Sequence, residues 1–476
     1  MKRDLHPIEE LASWSEVAQI ELNDVKVAKL ETDGIDKGSA VIATKDIPAS
    51  DGSTVLAKVN RDMVLSLERV KDYAKSDAQL NEILEALGDY AQTPRGAILT
   101  FLMLNHTYAS PSTAQEDKTP TTWTDYLRFL PAKFTLPTTY RFEERELVQG
   151  TSLELALFSK LETLEWEFSK LMSSTASIDW CDRVWWGSTG HAMLDDWVLV
   201  DAMYRSRALD LPGTGESMVP CVDMANHASG DETVALYETD EDGNALLLLR
   251  EGKSLKAGDE VTITYGDEKG AAELIFSYGF LPPEVDDARA LFLDLQVPSD
   301  DPLAIPKKSC SKVAPGFRLA RDEKTGKTSW ESQFVWWICV NQEDGLDFKV
   351  TKINDEEQEV KVFFHDTEVE PTEILEELLR KDEKWPVYEL RAVVTIQSRL
   401  QEQFDALMVS EQNKDRWEEM VKDGGIRKDV YDALVRLRSL EGKLVQDALN
   451  ELEEKKIELA ENETVKNYLA KMQAEE

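Results

Sequence analysis

Two segments of the chain combine residue types that could do chemistry. In the first, an apolar run that starts at Val219 closes on Asn226-His227. In the second, a segment that starts at Gly258 ends in Tyr265-Gly266, and Tyr278-Gly279-Phe280 follows it. Their amide, imidazole and phenol groups can donate or accept hydrogen bonds to a ligand. Both segments are therefore candidate parts of a functional site.

The signatures of several common enzyme chemistries are absent from the sequence. There is no GxGxxG after a predicted strand, no GxxxxGK[ST], no HExxH and no GxSxG. The sequence has five histidines, at His6, His106, His191, His227 and His365. None lies at a metal-ligand spacing from another, so zinc is not expected, and neither is any other metal. The missing motifs argue in the same way against P-loop and Rossmann chemistry.

The cysteines also argue against a metal cluster. Four are spread over the chain, at Cys181, Cys221, Cys310 and Cys339. Their spacing excludes a local CxxC zinc site and is unlike a secreted disulfide framework. We expect buried free thiols.

The two candidate segments resemble the C-terminal signature motifs of SET-domain methyltransferases, the NH motif and the YG…YGF motif. The layout of the whole chain resembles the branch of the plant Rubisco large-subunit methyltransferase. That branch includes fungal enzymes that methylate ribosomal proteins and elongation factors, and it lacks the cysteine–zinc cluster of many histone-directed SET enzymes. Trp123 to Pro131 and Phe134 to Pro137 also resemble its insertion region. The resemblance covers about residues 20–300, and the tail by composition only.

The resemblance implies an α+β fold, in which a β-rich SET domain with a pseudoknot precedes a helical C-terminal substrate-binding domain. It places the SET domain at residues 20–300, with a helical insertion at about 77–210, and the C-terminal domain at 301–476. It implies an S-adenosyl-L-methionine-dependent protein-lysine N-methyltransferase. The implied substrate is a non-histone protein, a ribosomal protein or a translation factor.

The resemblance also implies cofactor contacts from a glycine loop and from an arginine. Gly38, Ser39 and Ala40 stand where the family has a Gly-x-Gly-type loop, whose backbone would meet the methionine end of the cofactor. Glycine permits that close approach, and Ala40 replaces the second glycine. Arg207 matches the arginine near the cofactor carboxylate, for which a guanidinium fork is suited. Arg205 is the alternative two residues away.

Asn226, His227 and Tyr265 carry the central roles that the resemblance implies. The Asn226 side chain and the His227 backbone would hold the cofactor, so we expect His227 to act by position and not as an acid or base. The family often has Ser where this chain has Ala228. Tyr265 is the catalytic candidate and also a cofactor contact. Its hydroxyl would accept weak CH···O contacts from the polarised methyl group, while the site aligns a neutral lysine amine.

Further aromatic residues are expected around the lysine. Tyr278 and Tyr237 are expected to line a substrate channel, and Phe280 to cover the cofactor. Aromatic walls hold an alkylammonium stem and tolerate its methylated forms. The family commonly has Asn where this chain has Ala271, before Ala-Glu-Leu.

The elements that must position these residues can be predicted from periodicity. Alternating apolar and turn patterns predict strands at Val25–Leu30, Ala40–Ala43, Thr54–Val59, Thr233–Tyr237, Ala245–Leu249 and Glu260–Tyr265. Helical spacing predicts helices over about 77–210 and again over about 370–471. Thr93-Pro94 has the pattern of a helix N-cap followed by Pro at the first helical position. Residues 300–370 have a mixed pattern.

Composition limits the classes of partner. With 476 residues, 42% of them hydrophobic, the chain is long enough for two or three domains with large cores. No apolar run reaches the roughly 18 residues of a membrane span, and no signal peptide is recognisable. The formal net charge of −38 argues against nucleic-acid binding and favours a basic protein partner. We expect a cytoplasmic monomer, with the nucleus left open as a location.

Three alternatives remain open. A protein-histidine methyltransferase would share this architecture, and no residue here separates the two target side chains. A SET-fold binding module without catalysis would explain the alanines at Ala40, Ala228 and Ala271, although Tyr265 and Tyr278 are retained. A purely helical scaffold would explain only the tail.

Overall fold

The computed structural model describes residues 1–32, 35–111, 120–188, 190–266, 268–352 and 358–475. The chain divides into two compact units. Unit 1 comprises Met1–Thr139, Leu157–Glu268 and Ser277–Gly279. Unit 2 comprises Tyr140–Ala156, Lys269–Phe276 and Phe280–Glu476.

The strands of unit 1 precede those of unit 2 along the chain. Unit 1 contains β1 Ile20–Leu22, β2 Val25–Thr32, β3 Ile35–Ala43, β4 Thr54–Val59, β5 Ala208–Leu211, β6 Gly215–Met218, β7 Asn226–His227, β8 Ala235–Thr239, β9 Ala245–Leu249 and β10 Glu260–Ile263. Unit 2 contains β11 Ala290–Asp294, β12 Gly316–Arg321, β13 Thr328–Glu331, β14 Leu346–Lys352, β15 Gln358–Phe364 and β16 Thr367–Glu368.

The α-helices fall into a first group before β5 and a second group after β10. The first group is α1 Leu11–Val17 (before β1), α2 Leu67–Ala74, α3 Ala78–Leu87, α4 Pro94–Ala109, α5 Thr122–Tyr126, α6 Phe142–Arg145, α7 Leu153–Thr175, α8 Asp179–Cys181 and α9 Leu194–Arg207. The second group is α10 Ala271–Tyr278, α11 Ala304–Cys310, α12 Phe334–Cys339, α13 Leu375–Arg380, α14 Trp385–Glu411, α15 Lys414–Lys422, α16 Lys428–Ala460 and α17 Glu463–Glu475.

Unit 1 contains two four-stranded sheets, the second of which includes the Asn226-His227 strand and the strand that precedes Tyr265. Their strand orders are β1-β4-β9-β8 and β2-β3-β10-β7. The strand pairs within them are antiparallel except for β7 and β10, which run parallel. The predicted strands are all present, with ends shifted by a few residues.

A buried helix forms the centre of unit 1. In α4 nearly every side chain is buried, from Gly96 to Ala109. The helix begins as predicted, because the Thr93 hydroxyl accepts a hydrogen bond from the Gly96 amide at 3.0 Å and Pro94 occupies the first turn. Such a helix is apolar all round because other elements cover every face.

Unit 2 combines two small sheets with long helices. The sheets have the orders β11-β12-β13 and β14-β15-β16, and α14 packs along α16. The helical pattern predicted for about 370–471 corresponds to α13 through α17. The mixed stretch before it contains five of the strands and the short helices α11 and α12, so residues 301–476 are mainly helical only in their second part. The predicted domain boundaries stay a prediction.

The structure agrees with the expected state of the cysteines. All four are free, and Cys181, Cys221 and Cys339 are buried while Cys310 is half-buried. Within the described ranges, His, Cys, Asp and Glu side chains form no group of three or more that could hold a metal ion. Across those same ranges, none of the helices combines the length and the apolar character that crossing a membrane requires.

Candidate active site

The parallel pair of β7 and β10 brings the two candidate segments together. Asn226 lies opposite Thr262 and His227 lies opposite Ile263. The Ala228 amide extends the pairing by donating to the Ile263 carbonyl at 3.0 Å. Because the chain leaves β10 only two residues before Tyr265, this register places Tyr265 beside His227.

His227 holds the backbone of Tyr265 in place. The Tyr265 amide donates to His227 Nδ1 at 3.1 Å, and the two rings stack with centroids 5.2 Å apart. Since Nδ1 accepts a hydrogen bond, the neutral imidazole carries its proton on Nε2, which lies 3.1 Å from Ser229 Oγ. Both ring nitrogens are therefore engaged, which fits a histidine that acts by position.

The Tyr265 side chain lies between several polar and aromatic groups. Its hydroxyl donates to the Ala225 carbonyl at 2.9 Å. The Tyr278 ring lies 4.3 Å away between centroids, and the Tyr278 hydroxyl donates to the Tyr265 carbonyl at 3.3 Å. Burial raises the pKa of Tyr265 above its ordinary value, and the Arg207 guanidinium opposes that rise only in part. Tyr265 is therefore a neutral phenol at physiological pH.

Asn226 is oriented by a carboxylate on the neighbouring strand. Its side-chain amide donates to Glu260 Oε1 at 2.7 Å. Glu260 is the first residue of β10, so the same strand that aligns His227 also fixes the Asn226 side chain.

Arg207, at the end of α9, reaches the segment that leads into β7. Its Nη1 donates to the Asp223 carbonyl at 2.9 Å and contacts Met224 Sδ at 3.4 Å. Its buried Nε has no hydrogen-bond partner among the described residues. Arg205 points elsewhere, since its Nη2 donates to Thr138 Oγ1 at 2.8 Å and lies 3.4 Å from Asp201 Oδ2. Of the two arginines, Arg207 is the one whose charge acts on Tyr265.

Asp223 and Tyr126 belong to this site although neither was among the predicted residues. The Tyr126 hydroxyl donates to Asp223 Oδ1 and accepts from the Cys221 amide at 3.2 Å. Burial raises the pKa of Asp223 to about 6, and Arg207, 4.0 Å from Asp223 Oδ2, opposes that rise. A signal existed in the sequence, because Asp223 is the one charged residue inside the apolar run from Val219.

The glycine segment differs from the predicted loop. Gly38 lies inside β3 with a left-handed φ of +79°, next to a register shift in the β2–β3 pair between Lys29 and Glu31. A bulge of this kind bends the strand, and glycine can adopt the positive φ there without a steric penalty. Ser39 is half-buried and Ala40 is fully buried opposite Ala28. The strand packs against residues 222–224.

Two predicted residues are not joined to this group by the described contacts. Tyr237 lies on β8 opposite Leu247, and no hydrogen bond or ring contact links it to Tyr265 among the described residues. Phe280 belongs to unit 2, and 41% of it is exposed. Their expected roles, like those of the other site residues, stay predictions.

Gly279, between Tyr278 and Phe280, lies against a segment that also resembles the insertion region. Its φ is +83°, and a Cβ atom placed on it would lie 2.1 Å from the Thr135 carbonyl oxygen. The 134–137 segment therefore packs closely on the Tyr-Gly-Phe motif because that position has no side chain.

Comparison with known proteins supports the resemblance. The chain is 30% identical over 302 residues to SET domain-containing protein 8 of Schizosaccharomyces pombe, covering 62% of this chain and 65% of the relative. It is 25% identical over 279 residues to the chloroplastic Rubisco large-subunit N-methyltransferase of Pisum sativum, covering 56% and 50%. The chain thus spans less than two thirds of the length of these relatives. No family model matches it.

Solved structures share the fold. The SET domain of LSMT bound to lysine and AdoHcy aligns with a TM-score of 0.66 at 18% identity, covering 97% of this chain and 94% of the other. Rubisco LSMT bound to AdoMet aligns with a TM-score of 0.64 at 19% identity, covering 96% and 93%. The expected α+β fold with a helical C-terminal region is confirmed.

Proposed function

We propose that this chain, which resembles the Rubisco large-subunit methyltransferase branch of SET proteins in sequence and shares its fold, is an S-adenosyl-L-methionine-dependent protein-lysine N-methyltransferase. The observation that carries the proposal is the parallel β7–β10 pair, which joins Asn226-His227 to Tyr265 and Tyr278. Two curated relatives are named as N-methyltransferases, one of them as a lysine N-methyltransferase. Neighbouring structures are described with AdoMet or AdoHcy, and with lysine.

The residues around Arg207 suit the proposed cofactor. When bound, S-adenosylmethionine would supply a methyl group on a sulfonium, which a neutral lysine amine can attack. The Arg207 Nε–H, which has no partner among the described residues, is a donor that a carboxylate could accept from. Asn226, the His227 backbone and the Gly38–Ala40 segment are the other groups that would hold the cofactor.

Tyr265 would contribute alignment and a polar contact. Its hydroxyl is held on the Ala225 carbonyl and its ring is fixed between His227 and Tyr278. The neutral phenol donates its hydroxyl hydrogen to the Ala225 carbonyl, so the lone pairs of its oxygen can accept CH···O contacts from a polarised methyl group. A side chain fixed at both ends also costs no reorganisation when the lysine amine is aligned.

Tyr278 and Tyr237 would form the walls of the lysine channel, and Phe280 would cover the cofactor. The aromatic faces would favour the alkyl stem of lysine and tolerate methylated products. The substrate class that we propose is a basic non-histone protein, a ribosomal protein or translation factor. The net charge of −38 favours a basic partner, and the resemblance to this branch implies the non-histone class. We place the enzyme in the cytoplasm, with the nucleus as the second location, and assign substrate binding to the C-terminal region.

The test compares wild type with Tyr265→Phe in the presence of radiolabelled S-adenosylmethionine and cell lysate. We expect labelled protein bands with wild type, and a rate roughly 10- to 100-fold lower with Tyr265→Phe, because alignment and the CH···O contact are lost. Mass spectrometry of the strongest band identifies the protein and the modified side chain.

Tyr73→Phe is the matched control. The Tyr73 hydroxyl also donates to a backbone carbonyl of unit 1, that of Asp62, at 3.3 Å, so this variant loses a similar hydrogen bond away from the proposed site. We expect it to keep full activity. Labelling on histidine would favour the histidine methyltransferase alternative. Cofactor binding without labelling of ribosomal, cytosolic or histone fractions would favour a binding module.

A further inference from the structure

Unit 2 contains a cavity of about 570 Å³ that the proposed methyl transfer does not use. It lies where the sheet β11-β12-β13 meets α12, α13 and α14, and the residues that line it all belong to unit 2. Its volume falls within the range of small-ligand sites in proteins. The aromatic and charged residues of its walls determine which ligand it can bind.

Aromatic rings form much of the wall. Trp336 contacts Trp330 with ring centroids 5.9 Å apart and Trp385 with centroids 5.0 Å apart, at interplanar angles of 43° and 41°. Because Trp336 contacts both of the other rings, the three tryptophans form one cluster at the cavity. Phe292, half of which is exposed, adds a fourth ring above Gly316.

Charged groups stand among these rings. Three carboxylates line the cavity, at Glu331, Glu376 and Glu389, together with two guanidinium groups, at Arg318 and Arg380. Glu376 pairs with Arg380 and Glu389 with Lys455 at 3.7 Å, which leaves Glu331 as the carboxylate without an ion pair among the described contacts. A cage of aromatic faces with carboxylates at its edge is the environment that binds an organic cation.

One cation of the protein already demonstrates this mode of binding. The Arg380 guanidinium lies over the Trp385 ring, 4.5 Å from its centroid, and pairs with Glu376 at 2.7 Å. Its side chain is more than half exposed, so a ligand could displace it with little loss of packing.

We propose that this cavity binds the methylated ammonium group of a lysine side chain on a partner protein. Methylation spreads the positive charge over a larger apolar surface and lowers its hydration, so the tryptophan faces hold a trimethylated ammonium better than an unmodified one. Glu331, the exposed last residue of β13, lines the cavity and supplies a counter-charge, with Arg318 opposite it on β12. This binding site goes beyond the proposed methyl transfer, and it would let the chain recognise a protein that already carries the modification.

The experiment measures binding of short fluorescein-labelled Gly-Ser peptides to the full chain by fluorescence anisotropy, with no S-adenosylmethionine present. Three peptides carry trimethyllysine, lysine or glutamine at the central position. We expect the affinity to fall in that order, with no saturable binding of the glutamine peptide. Substitutions in the walls of the cavity separate binding here from binding in the proposed lysine channel, so failure of this proposal is distinguishable from failure of the proposed function.

Three variants test the walls of the cavity. Trp330→Leu should weaken binding of the trimethyllysine peptide by roughly 5- to 30-fold, since one aromatic face is lost. Glu331→Gln should weaken it several-fold without touching the core, which keeps the test valid if Trp330→Leu folds poorly. Arg380→Gln should strengthen it, because the internal competitor for Trp385 is removed.

Glu343→Gln is the matched control, since Glu343 is an exposed carboxylate of unit 2 that does not line the cavity. It should leave the affinity unchanged. Equal affinity for the three peptides would overturn the proposal. So would no binding at millimolar peptide, or affinities that Glu331→Gln and Arg380→Gln leave at the wild-type value.

Discussion

At the scale of single residues, burial changes the acidity of two carboxyl groups. Burial raises the pKa of Asp223 to about 6 and that of Glu441 to about 7. Glu441 lies in α16 and accepts hydrogen bonds from the amide and the hydroxyl of Ser152, the amide at 2.9 Å. Those hydrogen bonds and the nearby Arg438 lower the pKa of Glu441, but by less than burial raises it.

Glu441 should make unit 2 less stable as the pH rises. Its folded pKa of about 7 lies above the unfolded value of 4.5, so the folded state binds the extra proton between these pH values. The free energy of unfolding should therefore fall from pH 4.5 to pH 7 by roughly 2–3 kcal/mol from this group alone. Urea unfolding at pH 5 and pH 8 measures it.

Glu441→Gln is expected to remove that part of the pH dependence, because the amide cannot ionise. The free energies of unfolding of wild type and variant are subtracted at each pH, so that the contributions of the other carboxylates cancel. A difference that is the same at pH 5 and pH 8 would show that Glu441 is not the titrating group.

The motifs of the candidate site could be predicted from the sequence, but the residues that hold them could not. Asn226, His227 and Tyr265 stand in recognisable local patterns. Asp223 acquires its role from Tyr126, and the two are 97 residues apart. No local pattern contains such a contact, because it depends on how α5 packs against the segment before β7.

At the scale of elements, the strands of unit 1 were predictable because their alternation matches half-buried sheets. Gly316–Arg321 also alternates, since Phe317 and Leu319 are buried while Arg318 is exposed. It lies in a charged stretch of short strands, which a longer window averages into a mixed pattern. This strand is hard to predict because it is short, and not because its apolar residues lack the two-residue period of a strand.

Gly279→Ala should destabilise the Tyr278–Phe280 turn. Alanine would have to adopt a φ of +83° with its Cβ at 2.1 Å from the Thr135 carbonyl oxygen, so one backbone must move. We expect a loss of about 2–4 kcal/mol in the free energy of unfolding. Denaturant unfolding of the purified variant measures this loss.

Gly442→Ala serves as the control for that substitution. Gly442 lies within α16 with open space around its Cβ position, so alanine should be neutral or stabilise the helix by up to about 1 kcal/mol. Equal effects of the two substitutions would mean that the close approach of Thr135 does not constrain Gly279.

At the scale of the whole molecule, the net charge of −38 is the dominant feature. It creates a negative potential over a chain of two units, and such a field accelerates encounter with a basic partner. Surface fields of this kind are screened within a Debye length of about 8 Å at physiological salt.

The methylation rate on a basic protein should therefore depend on salt. We expect kcat/KM to fall roughly 10-fold as NaCl is raised from about 50 to about 300 mM. The affinity for S-adenosylmethionine, measured by calorimetry, is the control and should change little. An unchanged kcat/KM would mean that charge does not guide the substrate to the proposed active site.

The parallel pairing of β7 with β10 also sets the order in which the site can arise. Asn226 and His227 leave a ribosome well before Thr262 and Ile263, and the β8–β9 hairpin is made between them. Until β10 has been synthesised, the Asn-His strand has no parallel neighbour and Tyr265 does not exist. A nascent or truncated chain in which β4, β9 and β8 have been made but β10 has not therefore still lacks the site, so the proposed methyl transfer would begin only after translation has passed the second motif.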